Sequence, residues 1–167
     1  MEKLKILVVD DDEGVCLLLK KILENTNKYN VVSTTESLIA EELCTKEKPA
    51  LLIIDNVMPQ MKGSEVIKKL RENGAMKGMP IIMLTGKGEM TYSDKKEGFE
   101  WNPNTPIVKE RGELEEQKGP DSITDAYGVD EYIPKPVNSN VLLSVVDEVL
   151  AKKRERDELE EWKRNNM

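Results

Sequence analysis

Histidine is missing altogether from the 167 residues of this chain. That excludes any mechanism built on an imidazole base and any histidine-ligated zinc. Cysteine is nearly missing: Cys16 and Cys44 stand alone without metal-ligand spacing. Both fall in apolar helical patterns, so they are expected to be buried, reduced thiols. No apolar run approaches the ~20 residues of a membrane span. The N-terminus passes directly into a strand pattern rather than a signal peptide, and a cytoplasmic location is expected. Positive charge is in deficit, with a formal net charge of −7. Neutralising nucleic-acid phosphates takes clustered Lys and Arg, so general nucleic-acid binding is disfavoured. No internal repeat is present.

What is there is a rhythm. Hydrophobic residues make up 38% of the chain and charged residues 34%, enough for one core under a heavily charged surface. Near-continuous apolar strands are expected at 5–9, 50–55 and 80–85, with shorter strands at 29–34 and 131–133. Amphipathic helices alternate with them. In 13–25, Val15, Leu18, Leu19, Ile22 and Leu23 follow helical spacing. A second helix covers 37–45 with Ser37 as its N-cap, and a third covers 63–73 through Val66, Ile67 and Leu70. Asn138 opens a last helix that buries Val141, Leu142, Val145, Val146 and Val149.

This alternation predicts an α/β fold: a doubly wound (βα)₅ sandwich with a parallel sheet and helices on both faces. Right-handed crossovers and the flavodoxin-like strand order 2-1-3-4-5 place a ligand beside the carboxyl ends of strands one and three. One region breaks the pattern. Residues 86–130 are far more than the dozen or so that a crossover needs. A short fourth helix at 122–127 leaves 87–119 as an insertion after strand four. The insertion holds Phe99 and Trp101 amid polar sequence, with a hairpin expected around 102–105. The domain itself is expected over 1–150, with 151–167 a charged helical tail.

The chemistry collects at strand ends. Asp55 follows directly on LLII, and Asp10 and Asp11 follow on KILVV. A single acid there serves equally well as a helix cap. Three converging carboxylates repel one another unless a cation sits among them, and Mg²⁺ is the natural choice for hard oxygen ligands. Asp12 is expected to start the following helix. Lys135 is boxed between Pro134 and Pro136, which restrict its backbone. Thr85, at the end of strand four, is on its own an ordinary β-branched strand residue, and Tyr132 is plain core.

The segments VVDDD, IIDNVMPQMKG, MLTG and EYIPKP, in that order, make the chain resemble the receiver domain of bacterial two-component response regulators. The resemblance covers most of 5–150 outside the insertion. It implies that Asp55 is a phospho-acceptor and that Mg²⁺ is held by Asp10, Asp11, Asp55 and the backbone carbonyl of Val57. Asp11 is then the direct ligand, and Asp10 acts mainly through water. Thr85 would bond a phosphoryl oxygen, Lys135 would hold the phosphoryl group or the bare aspartate, and Tyr132 would pack inward in the active state. Without histidine, the chain stands on the aspartate side of a relay. Its phosphodonor would be a histidine kinase or phosphotransfer protein, and the insertion and tail are candidate surfaces for an output partner.

Three positions depart from the common pattern. Lys62 stands where an acid is frequent, Gly86 where alanine is frequent, and an apolar Val57 offers nothing to orient an attacking water. A fairly long-lived phosphoryl group is expected. Two other classes compete. A Mg²⁺-dependent phosphatase with an aspartyl-phosphate intermediate wants a second acid just beyond the nucleophile, where Val57 stands. A phosphorylation-independent scaffold has no use for the complete acid, threonine and lysine set.

Overall fold

Uninterrupted aliphatic runs become strands that are buried on both faces. The computed structural model describes residues 2–74, 76, 78–86, 89–91, 100–102 and 128–167. Its main sheet holds β1 (Leu4–Val9), β2 (Tyr29–Thr34), β3 (Leu51–Asp55), β4 (Ile81–Thr85) and β7 (Glu131–Pro134). All pairings are parallel, in the order β2-β1-β3-β4-β7. This is the expected 2-1-3-4-5 arrangement, with β7 as the fifth parallel strand. Four helices accompany it among the described residues: α1 (Glu13–Glu24), α2 (Ala40–Glu47), α3 (Gly63–Glu72) and α4 (Ser139–Asn166).

Strand side chains alternate between faces, so the sheet has two cores. Ile6, Val8, Leu51, Ile53, Ile82, Leu84 and Ile133 pack with Cys16, Leu19 and Leu23 of α1 and Leu142, Val146 and Val149 of α4. Leu7, Val9, Leu52, Ile54, Ile81 and Met83 pack with Ala40 and Cys44 of α2 and with Val66, Ile67 and Leu70 of α3. Truncating a fully buried residue such as Ile54 to alanine costs about 2–5 kcal/mol. Both cysteines are free and buried, as expected.

The helix starts bear out two caps. Asp12 Oδ1 accepts from Gly14 N at 2.8 Å and Val15 N at 3.3 Å. Asn138 Oδ1 accepts from Asn140 N at 2.9 Å and Val141 N at 3.2 Å. The tail continues α4 as one 28-residue helix, about 42 Å long. A joint at Asp130 fastens it. Asp130 Oδ1 accepts from Arg156 at 3.2 Å, and Oδ2 accepts from Ile81 N at 2.8 Å.

Three expectations change. Ser37 is no N-cap: it begins a 3₁₀ turn, Ser37–Ile39, and its hydroxyl points into the fold. Leu18 of α1 and Val141 of α4 are exposed, because each helix turns a narrower stripe to the sheet than its apolar positions suggest. Before the expected hairpin, β5 (Glu89–Thr91) pairs antiparallel with β6 (Glu100–Asn102). Beyond Asn102, the hairpin expected around 102–105 and the helix expected at 122–127 lie outside the described residues. No described helix is long and apolar enough to cross a membrane.

Candidate functional site

Register puts the acids side by side. In the β1–β3 ladder Val8 lies opposite Ile53 and Val9 opposite Ile54. One step further, Asp10 stands beside Asp55. Both share the face of Ile6, Val8, Leu51 and Ile53, at the carboxyl end of the sheet. Asp10 is 0% exposed and Asp55 is 4% exposed. Asp11 is exposed to solvent. One carboxylate oxygen from each of the three lies within 4.8 Å of the others.

Lys135 closes the cluster. It follows β7 directly, and its amide donates to the Thr85 carbonyl at 2.7 Å. The Lys135–Pro136 peptide bond is cis. From there Nζ reaches Asp10 Oδ2 at 2.6 Å and Asp55 Oδ1 at 3.3 Å. Asp10 Oδ1 accepts from Asp12 N at 2.9 Å. Asp10 Oδ2 is fully buried, and the ammonium approaches it outside hydrogen-bond geometry.

Burial pushes the Asp55 carboxyl up to about 6, against the pull of Lys135 and with further push from Asp10 and Asp11. Burial also opposes the charge on Lys135, yet Asp10 and then Asp55 outweigh it and hold the ammonium above its usual range. The two shifts look contradictory for one ion pair. They reconcile because Lys135 answers two carboxylates and takes Asp10 more closely, leaving Asp55 under-compensated.

The loop after Asp55 is built for close approach. A Cβ on Gly63 would lie 2.3 Å from the Asp55 carbonyl oxygen, so no larger residue fits without movement. Gly63 N donates to Asn56 O at 3.0 Å, and Asn56 N donates to Leu84 O at 3.2 Å. Gly86 is the opposite case: a Cβ there meets nothing within 4 Å.

Asp10, Asp11, Asp55 and Lys135 therefore come together as expected. Thr85 is tied to them through its carbonyl, but it has the parity of Ile81 and Met83 and so belongs to the opposite sheet face. Tyr132 also lies on that face, half-buried against the core. Val57 is 52% exposed on the loop after Asp55. Sequence reasoning missed the packing role of Gly63 and the inward hydroxyl of Ser37. The glycine stood only as the last residue of IIDNVMPQMKG, and the serine was marked only as a helix cap.

A family model for the response regulator receiver domain matches residues 6–116. The chain belongs to the response-regulator receiver family. The match stops short of β7 and Lys135, which the sheet order supplies. The receiver is 38% identical over 105 residues to the alkaline phosphatase synthesis transcriptional regulatory protein PhoP of Bacillus subtilis. That match covers 63% of the receiver and 42% of PhoP. Against the transcriptional regulatory protein SrrA of Staphylococcus aureus the identity is 39%, covering 63% and 41%. A histidine kinase, P4 of Formosa agariphila, is 29% identical over 82% of the receiver and 8% of its own length. The receiver thus spans about two fifths or less of these relatives. Among solved structures, a CheY-like receiver domain protein of Methanospirillum hungatei superposes with TM-score 0.66 at 25% identity, covering 93% of this chain and 99% of that one. Chemotaxis protein CheY4 of Vibrio cholerae gives TM-score 0.65 at 24% identity, covering 89% and 99%. Membership makes this a two-component signal-transduction domain, for which a histidine kinase is the implied phosphodonor.

Proposed function

We propose that Asp55 accepts a phosphoryl group from a phosphohistidine donor and that the resulting aspartyl phosphate switches partner binding. One observation carries this reading. A buried carboxylate sits at a strand end with an ammonium 3.3 Å away and two further acids around it. An Asp55 oxygen attacks phosphorus, the phosphorus–nitrogen bond of the donor breaks, and the product is an acyl phosphate. The imidazole leaves with the donor. Lys135 supplies positive charge to the phosphoryl oxygens, and the protein's work is mostly positioning. Thr85, whose carbonyl is tied to Lys135 while its side chain has the parity of the opposite face, would have to turn its hydroxyl toward the site to bond a phosphoryl oxygen, and Tyr132 on that same face would be its partner in the switch. The chain is then a phospho-acceptor rather than an enzyme with turnover.

The donor set fits Mg²⁺. Three carboxylate oxygens within 4.8 Å of one another, one acid of them fully buried, are hard ligands that need a cation. Asp10, Asp11, Asp55 and the Val57 carbonyl would hold the ion, which when bound neutralises charge on the phosphoryl group. The domain would run over 1–150 with 87–119 inserted, and 151–167 would be an added helical tail. An output partner would meet the insertion or the tail.

Incubation with acetyl phosphate or phosphoramidate and Mg²⁺, followed by intact mass measurement, tests the reading. A phosphoryl mass shift lost in Asp55→Asn supports it; an unchanged shift in that variant removes it. The exposed, apolar Val57 places no polar group to orient water, so the label should persist well beyond seconds. Loss within seconds contradicts that expectation.

A further inference from the structure

We infer that Ser37 is a positioning residue for the cation site: its hydroxyl holds the loop that carries the Val57 carbonyl. This rests on the Mg²⁺ reading above. Ser37 lies in the turn between β2 and α2 and is 3% exposed. Its Oγ donates to the Pro59 carbonyl at 3.1 Å, across 22 positions of sequence. The loop between β3 and α3 is well fixed at its two ends. Asn56 bonds Leu84, Gly63 and Ser64, and Lys62 N donates to Glu65 Oε2 at 2.8 Å.

The middle is different. Among the described residues, the Ser37 bond is the single hydrogen bond that reaches residues 57–61 from outside that run. The other bond within the run, Met61 N to Pro59 O at 2.8 Å, is internal. Met58 anchors the loop by apolar packing, which resists withdrawal but sets no orientation for a carbonyl. The same run contains Gln60 at φ 70°, a left-handed conformation that a non-glycine residue holds only when its surroundings enforce it. Val57 lies two residues before Pro59. Releasing the Pro59 carbonyl therefore frees the backbone segment that must present the Val57 oxygen, while Asp10, Asp11 and Asp55 stay on their strands.

A buried neutral hydrogen bond contributes about 1 kcal/mol, equivalent to roughly a five-fold change in an equilibrium constant. The test uses the full chain and Mn²⁺, followed by electron paramagnetic resonance of the free ion. Ser37→Ala is expected to weaken Mn²⁺ binding about five-fold, and Ser37→Thr to restore it to within about two-fold. Thr26→Ala serves as the structural control. Thr26 Oγ1 donates to Leu23 O at 2.7 Å beyond the far end of α1. Its loss should lower the melting temperature comparably and leave Mn²⁺ affinity unchanged. Wild-type affinity in Ser37→Ala, failure of threonine to restore binding, or an equal loss in Thr26→Ala overturns the assignment. Absence of Mn²⁺ binding in the wild type, or binding that Asp55→Asn does not weaken, overturns the cation reading itself and Ser37's role with it.

Discussion

Removing the charge at Asp55 should make the metal-free receiver more stable. Burial lifts this carboxyl from 3.8 to about 6, even with Lys135 nearby. Its ionised form is therefore disfavoured in the folded state relative to the unfolded chain. The shift is about two units, and each unit is ~1.36 kcal/mol, so folding loses about 3 kcal/mol at neutral pH. The folded pKa is the raised one, so the penalty is full above about pH 6. It shrinks as pH falls from 6 towards 3.8 and is gone below that. Asp55→Asn keeps the shape without the charge. In EDTA at pH 7.5 it should raise the midpoint of thermal unfolding by roughly 6–12 °C, at ~2–4 °C per kcal/mol. By pH 4.5 most of the gain should have disappeared. Calorimetry of both proteins across pH 4.5–7.5 measures the difference directly, and titrating groups remote from Asp55 cancel in it. Mg²⁺ should close most of the gap, because a ligand at 100 times its dissociation constant stabilises by about 2.7 kcal/mol and the variant lacks one ligand. A variant no more stable than wild type in EDTA at pH 7.5, or a gain equal at pH 7.5 and 4.5, refutes the reasoning.

Three further outcomes follow from the same geometry. Lys135→Ala leaves two buried carboxylates without their counter-charge and should destabilise the metal-free protein by about 3 kcal/mol, measured by urea unfolding; a loss under about 1 kcal/mol contradicts the ion-pair account. Gly63→Ala forces a methyl against the Asp55 carbonyl and should cost about 1–3 kcal/mol together with impaired phosphorylation, whereas Gly86→Ala meets open space and should fall within about 0.5 kcal/mol of wild type. Asp12→Ala removes the α1 cap and should cost about 1 kcal/mol in thermal unfolding without abolishing phosphorylation by acetyl phosphate.

Much of this was legible in the sequence, because both the sheet and its acids are written in local pattern. Runs such as LLII admit few readings other than a doubly covered strand, and acids directly after two of them must meet if the strands are neighbours. Lys135 stood out because prolines on both sides restrict its backbone. What was not legible depends on distant contacts. Leu18 and Val141 fit the helical period as well as their buried neighbours do, and the packing of the sheet alone decides which are covered. Ser37 read as a cap because a serine after a strand usually is one. Its actual partner, Pro59, is distant in sequence and close only once the fold exists. The preference of Lys135 for Asp10 over Asp55 likewise depends on where the last strand delivers its side chain.

The continuous α4 helix has a mechanical consequence. Its first half is bedded in the core through Leu142, Val146 and Val149, and its second half runs outward past the Asp130 joint. Residues 151–166 span about 24 Å at 1.5 Å per residue. A rigid rod of that length tilted by about 5° at its bedded end carries its tip about 2 Å. Asp130 adjoins β7, the strand that delivers Lys135, so a small shift there becomes a measurable displacement at Trp162, which, with Trp101 replaced by Phe, makes the Trp162 indole a gauge of the lever's angle.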